Sequence, residues 1–146
     1  MATVGVQLNF KNRTEEAFNF YKSVFGGEFE GDGIMRMGDV PPSDNQPQLT
    51  DEEKNYVAHV SMPILGGVQL MGSDVPAKMD VEVVMGNNVS ISLGPDTKAE
   101  ADRLFKMLSE GGKVEMPMQD MFWGDYYGAL TDKFGVHWMI DIKTKA

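Results

Sequence analysis

The sequence predicts an α+β fold built from two consecutive modules of one plan, each a strand, a helix and three further strands (βαβββ). The first observation is the order of elements, because an alternating apolar segment followed by an amphipathic helix occurs in both halves of the chain. The second is a residue match between the halves. Glu16-Ala17 recurs 84 residues later as Glu100-Ala101, and the helix-ending Gly26-Gly27 recurs 85 residues later as Gly111-Gly112. A duplicated unit explains both observations.

Module one begins with a predicted strand over residues 3–10, in which apolar and polar side chains alternate. One face carries Val4, Val6, Leu8 and Phe10, and the other carries Gly5, Gln7 and Asn9. A helix follows, with Asn12 or Thr14 as its expected N-cap and Gly26-Gly27 as its end. Its apolar positions are Ala17, Phe20, Tyr21 and Val24. Further strands are predicted over residues 28–37, 56–62 and 68–71, and the proline-rich residues 39–55 predict a mobile loop.

Module two repeats this order. A strand over residues 89–93 precedes a helix that Pro95-Asp96-Thr97 opens and Gly111-Gly112 ends. Three strands are predicted over residues 113–118, 126–131 and 136–142. In the last strand the apolar face consists of Val136, Trp138, Ile140 and Ile142, and the opposite face consists of His137, Met139 and Asp141. We expect modules at about 1–80 and 86–146 within one domain of 146 residues.

The composition excludes several classes of function. The chain has no cysteine, so it has neither disulfides nor thiolate-bound metal, and it has only two histidines. A net charge of −9 makes nucleic acid and anionic membranes unfavourable partners. No apolar run approaches the roughly 20 residues of a membrane-spanning helix, and we expect a soluble cytoplasmic protein. The 12 methionines are explained best as side chains that fill an irregular core, and next best as the lining of an adaptable binding surface.

Several longer stretches resemble one protein family over nearly the whole chain. They are EEAFNFYKSVFGGE (15–28), RMGDVPP (36–42), AHVSM (58–62), LMGSD (70–74), LSEGGKVEMPMQDMFWGDYYG (108–128) and LTDKFGVHWMI (130–140). The chain resembles the PhnB-like branch of the vicinal oxygen chelate superfamily, which includes glyoxalase I, extradiol dioxygenases, and bleomycin and fosfomycin resistance proteins. Members of this branch have been labelled 3-demethylubiquinone 3-methyltransferase. No strand here leads into a Gly-rich nucleotide-binding turn, so we do not expect that activity.

The resemblance implies the glyoxalase/bleomycin resistance fold. In that fold each module's sheet curves into a half-barrel, its helix packs on the convex side, and the concave side forms a cleft for a small-molecule ligand. The resemblance also implies a homodimer.

Enzymes of the superfamily hold a divalent metal with His, Glu or Gln side chains from the first and last strand of each module. This chain offers Gln7 and Asn9 on the first strand, Gln69 or Met71 on the fourth, Ser90 and Ser92 on the fifth, and Met139 on the last. Amides, hydroxyls and thioethers are poor ligands for the metals of this chemistry. We therefore expect no metal site and no cofactor.

A displaced metal site is the alternative. His59, His137 and Asp141 are two imidazoles and one carboxylate, which is a valid ligand set for iron or zinc. Such a site would make the protein a metal-dependent lyase, isomerase or dioxygenase. Sequence spacing alone does not bring these three residues together.

We expect the ligand cleft to combine polar strand residues with aromatic side chains. The glycine-flanked segment around Trp123 and Tyr127 suits a wall or lid over a planar ligand, although a packed hairpin or a dimer contact is the simpler interpretation. Asp125 or Asp132 would serve as a general base if desolvated, but capping or turn roles are the simpler interpretation. The candidate pocket residues are Gln7, Asn9, His59, Gln69, Ser92, Trp123, Tyr127 and Met139.

Three functions follow from these features. The first is a glyoxalase/bleomycin-resistance-type protein that binds a small organic ligand without the usual metal. The second is the metal-dependent enzyme with displaced ligands. The third is a protein whose main product is its own dimer.

Overall fold

A computed structural model describes residues 2–41 and 48–143 of the chain. The chain divides into two compact units, residues 1–84 and residues 85–146, which we call unit 1 and unit 2. Each described unit contains one α-helix and one four-stranded sheet that does not close into a barrel. The predicted loop over residues 39–55 lies partly outside the described residues, because residues 42–47 belong to the part that is not described.

Unit 1 has the predicted βαβββ order. Its elements are β1 (Gly5–Phe10), α1 (Thr14–Phe25), β2 (Met35–Arg36), β3 (Val57–Pro63) and β4 (Gln69–Asp74). The sheet order is β1-β4-β3-β2, with β1 and β4 parallel and the other neighbours antiparallel. A short helical turn, Ala77–Met79, follows β4.

Unit 2 repeats the same topology. Its elements are β5 (Ile91–Leu93), α2 (Lys98–Ser109), β6 (Lys113–Asp120), β7 (Asp125–Thr131) and β8 (His137–Lys143). The sheet order is β5-β8-β7-β6, and the parallel pair is again the first and last strand of the unit. The predicted α+β fold with two βαβββ modules is therefore confirmed.

In unit 1 the core lies between α1 and one face of the sheet. The helix buries Ala17, Tyr21 and Val24 as predicted, but it also buries Phe18, whereas Phe20 stays partly exposed. The sheet brings Val60, Met62 and Leu70 to the same core. Gly72 of β4 permits the close approach, because a Cβ there would overlap the ring of Phe18. This register explains why Phe18 is buried in preference to Phe20.

In unit 2 the helix α2 covers the apolar face of β8. Trp138 and Ile140 are completely buried and Val136 nearly so, as the alternation in this strand predicted. Leu104 and Leu108 of α2 are also completely buried. Thr97 caps this helix, because its hydroxyl accepts a hydrogen bond from the Glu100 backbone N–H at 3.1 Å.

Two local predictions for unit 1 are wrong. The second strand covers Met35–Arg36 only, because Gly31 and Gly33 adopt positive φ angles of 60° and 91° that interrupt an extended segment. The N-cap of α1 is Arg13, with no capping hydrogen bond from its own side chain. Neither Asn12 nor Thr14 occupies that position. A carboxylate from β4, described below, satisfies this helix end.

Candidate functional site

Each sheet has one face covered by its helix and one face without a helix, which we call the open face. In unit 1 the helix side holds Leu70 and Gly72, so the strand alternation places Gln69, Met71 and Ser73 on the open face. Strand pairing aligns Gln7 of β1 with Met71 and Asn9 with Ser73. The predicted pocket residues Gln7, Asn9 and Gln69 therefore share one face of unit 1.

Hydrogen bonds join the polar side chains of this face into two groups. In the first group the amide Nε2 of Gln7 donates to Asn9 Oδ1 at 3.2 Å and to Ser73 Oγ at 3.1 Å. In the second group Ser61 Oγ donates to Gln69 Oε1 at 2.8 Å, and Gln69 Nε2 donates to Glu30 Oε1 at 3.0 Å. These bonds orient the amides along the sheet.

The open face of unit 2 contains Ser92, Tyr127 and Met139. Pairing aligns Ser92 with Met139 and Tyr127 with Asp141. Trp123, in the turn between β6 and β7, meets the ring of Tyr127 edge-on with centroids 6.5 Å apart. Its side chain is 52% exposed and that of the neighbouring Phe122 is 95% exposed, so this turn displays aromatic surface.

The eight predicted pocket residues thus form two sets, one in each unit. His59 belongs to β3 of unit 1, where it pairs with Met35 and is exposed. That all eight line a single cleft stays a prediction.

A pocket of about 420 Å³ lies within unit 1, at the ends of β1 and β4. Asn9 is the one predicted residue that lines it. The other lining residues are Met37, Val40, Leu49, Ala58, Asp74, Val75, Pro76, Lys78, Met79 and Val81. Most of these were missed because they come from loops and strand ends, where no periodicity marks a shared surface. The abundance of methionine was the only feature of the sequence that pointed to such a surface. Met37 and Met79 are the methionines that line this pocket.

Asp74 is one of the polar residues that line this pocket, and its side chain is nearly completely buried. Its Oδ1 accepts hydrogen bonds from the backbone N–H groups of Arg13 and Thr14 at 3.1 and 3.0 Å, and from the Thr14 hydroxyl at 2.7 Å. Its Oδ2 accepts from the Val57 N–H at 2.9 Å. A carboxylate at a helix N-terminus satisfies free N–H groups and complements the helix dipole. Asp74 therefore takes the capping role that the sequence assigned to Asn12 or Thr14.

Asp132 has a comparable structural role in unit 2. Its Oδ1 accepts from the backbone N–H groups of Phe134 and Val136, and its Oδ2 accepts from Trp138 Nε1 at 2.8 Å. The turn role considered for Asp132 is therefore correct. The general-base hypothesis is not supported, because both carboxylate oxygens already accept hydrogen bonds from these protein donors.

Asp141 differs from both, because its Oδ1 is buried and has no hydrogen-bond partner among the described residues. Burial and the neighbouring Asp125 carboxyl raise the pKa of Asp141 above its ordinary value, and Lys143 opposes the change. Asp141 lies on the open face of β8, next to Tyr127 of β7. It is thus a carboxyl group that disfavours ionisation.

The displaced metal site finds no support. Both ring nitrogens of His137 form hydrogen bonds: Nδ1 with Thr131 Oγ1 at 2.9 Å, and Nε2 with the Gly86 carbonyl oxygen at 2.7 Å. In residues 2–41 and 48–143, no group of three or more His, Cys, Asp or Glu side chains could hold a metal ion. The open faces carry amide, hydroxyl and thioether groups at the strand positions considered above, which are poorer ligands for a divalent transition metal than imidazole or carboxylate. That the usual metal site is absent stays a prediction.

The class of protein follows from the repeated unit and from solved structures of the same fold. A crystal structure of a glyoxylase/bleomycin resistance protein/dioxygenase domain from a Frankia species aligns with a TM-score of 0.63. It covers 98% of both chains at 11% identity, which shows the fold alone. The protein has the glyoxalase/bleomycin resistance fold.

Nearer relatives identify the branch. Protein PA1353 from Pseudomonas aeruginosa is 33% identical, with a TM-score of 0.81, and the alignment covers 99% of this chain and all of that one. A structure described as a putative 3-demethylubiquinone-9 3-methyltransferase, PhnB protein, from Bacillus cereus is 26% identical, with a TM-score of 0.73. The alignment covers 97% of this chain and 99% of that one.

The family described as 3-demethylubiquinone-9 3-methyltransferase matches residues 2–141. The chain belongs to this family, the PhnB-like branch of the vicinal oxygen chelate superfamily. The resemblance stated from the sequence is confirmed.

Proposed function

We propose that this protein binds a small organic ligand in the pocket of unit 1, without the metal of the superfamily's enzymes. The observation that carries the proposal is the pocket itself. Its volume of about 420 Å³ lies within the range of about 300–1,000 Å³ that is typical of small-molecule sites. Seven of its eleven lining residues are Met, Val, Leu or Ala side chains, so burial of apolar ligand surface would supply most of the affinity.

The polar groups in the lining favour binding over catalysis. Asp74 already accepts four hydrogen bonds from the protein, so it is poorly placed to act as a base. Asn9 and Lys78 supply hydrogen-bond donors but no acid–base pair. A ligand would therefore be oriented and held in the pocket, as in a sequestering protein.

Two further expectations belong to the same proposal. We propose a homodimer in the cytoplasm, as the family resemblance and the sequence imply. No helix in the described part of the chain is long and apolar enough to cross a membrane. Sedimentation equilibrium of the purified chain tests the dimer, and a single species of monomer mass at micromolar concentration would reject it.

The binding proposal is tested by fluorescence titration with phenylnaphthylamine, an uncharged apolar probe whose emission rises on burial. We expect saturable binding to the wild-type protein. Met79→Glu places a charge in the lining at a side chain that is 55% exposed, so the fold should tolerate it while the probe affinity falls at least about tenfold.

Val84→Glu is the matched control. Val84 is 77% exposed and does not line the pocket, so this variant should bind the probe as the wild type does. An absence of saturable binding to the wild type, or equal losses in both variants, would reject the proposed function.

A further inference from the structure

We infer that the ligand of the unit 1 pocket is an organic acid, an apolar molecule with one anionic group that lies against Lys78 and Asn9. This inference rests on the proposed function and names the chemical class of its ligand. It follows from the polar atoms that remain available in the lining.

Three of the eleven lining residues have polar side chains: Asn9, Asp74 and Lys78. The buried Asp74 carboxylate is the single negative charge among them, and it is offset by four N–H or O–H donors and the N-terminus of α1. Oδ1 accepts three of these hydrogen bonds and Oδ2 accepts one, so the nearly completely buried carboxylate keeps at most one unused lone pair, on Oδ2. The pocket therefore offers a ligand no exposed carboxylate, and the charge of Asp74 is already compensated by protein donors.

The two remaining groups are donors. Lys78, in the turn Ala77–Met79, forms no ion pair with any residue of the described ranges. Asn9 accepts from Gln7 through its Oδ1, which leaves the two hydrogens of its Nδ2 without an acceptor among the described side chains. A cationic ammonium and a neutral amide donor on an otherwise apolar surface complement a carboxylate, a sulfonate or an enolate.

The overall charge of the protein makes this inference sharply testable. At a net charge of −9 the long-range field opposes anions, so nonspecific electrostatics would favour a neutral ligand over an anionic one. A preference for an anion must come from local groups in the pocket.

The experiment compares anilinonaphthalene sulfonate with the uncharged phenylnaphthylamine, two probes with the same aromatic body. We expect the wild type to bind the sulfonate more tightly. Lys78→Met should lower the affinity for the sulfonate by about three- to tenfold and leave that for the neutral probe within about twofold. Asn9→Asp keeps the acceptor used by Gln7 but adds a negative charge, so it should also weaken the sulfonate selectively.

Lys106→Met is the matched control, because Lys106 is an exposed lysine on α2 of unit 2 and should leave both affinities unchanged. Saturable binding of both probes with no effect of Lys78→Met or Asn9→Asp on the sulfonate would overturn the organic-acid inference and leave the proposed function standing. Failure of both probes to bind the wild type would overturn both proposals.

Discussion

Replacing Asp74 by asparagine should destabilise unit 1 by about 1–4 kcal/mol. The carboxylate accepts from three donors at Oδ1 and from the Val57 N–H at Oδ2. Asparagine is of the same size but has one acceptor oxygen, so its NH₂ group must face a buried donor in either orientation. An unsatisfied buried donor costs about 1–3 kcal/mol. Loss of the negative charge at the N-terminus of α1 adds about 0.3–1 kcal/mol.

Urea denaturation followed by far-ultraviolet circular dichroism measures this loss. Both tryptophans, Trp123 and Trp138, lie in unit 2, so tryptophan fluorescence would report the other unit first. For a slope of roughly 2 kcal/mol per molar urea, the midpoint should fall by about 0.5–2 M.

Asp32→Asn is the control for this substitution. Asp32 is exposed and forms no hydrogen bond or ion pair with the described residues, so its replacement should change the free energy of unfolding by less than about 0.5 kcal/mol. If Asp74→Asn lowered the stability no more than Asp32→Asn does, the assignment of Asp74 as the acceptor that holds α1 on the sheet would be refuted.

Three further predictions concern packing and titration. Gly72→Ala should cost about 1–3 kcal/mol in urea denaturation, because the added methyl overlaps Phe18, whereas Gly94→Ala has its nearest contact at 3.5 Å and should be close to neutral. The Asp102 carboxylate accepts from the Tyr126 hydroxyl at 2.6 Å and raises the pKa of Tyr126 to about 12. Asp102→Asn should return that pKa towards 10 in an ultraviolet titration, and an unchanged pKa would contradict the hydrogen bond. The raised pKa of Asp141 means that the folded state binds its proton more tightly, so its contribution to stability is complete at low pH and is lost as the pH rises through the folded-state pKa. Asp141→Asn should remove this decline in stability. It should raise the stability at neutral pH by less than about 1 kcal/mol, because the side chain is partly solvated. A decline of the same size in the variant would show that the raised pKa of Asp141 does not cause it.

The candidate site was only partly predictable. Alternation along β1, β4, β5 and β8 was enough to place Gln7, Gln69, Ser92 and Met139 on faces opposite the helices. The pocket of unit 1 was not predictable in the same way, since it combines residues from Met37 to Val81 that share no period. Of the eight residues chosen from the sequence, Asn9 alone lines it.

The buried carboxylates show the same difference between what the sequence predicts and what only the folded structure decides. Asp132 accepts from donors within six residues of it, and the sequence indicated its turn role. Asp74 is an ordinary strand-end residue in the sequence, and nothing local distinguishes it from a solvated acid. Asp74 meets Thr14 across 60 residues only because β1 and β4 lie side by side and parallel. The partners of Asp74 are set by strand order, which is a property of the folded chain.

By itself the sequence determined the order of strands and helices, the repeated βαβββ plan and the family, because these depend on period-2 and period-3.6 patterns and on the recurrence of motifs along the chain. Together with the family resemblance it also predicted amide, hydroxyl and thioether groups at the strand positions where the superfamily's metal ligands are expected. Tertiary structure alone decided which helix end Asp74 caps, that Phe18 is buried, that Oδ1 of Asp141 has no hydrogen-bond partner among the described residues and where the pocket lies. The physical reason is distance: periodicity records which side of its own element a residue occupies, whereas contacts between elements depend on how the sheet brings distant segments together.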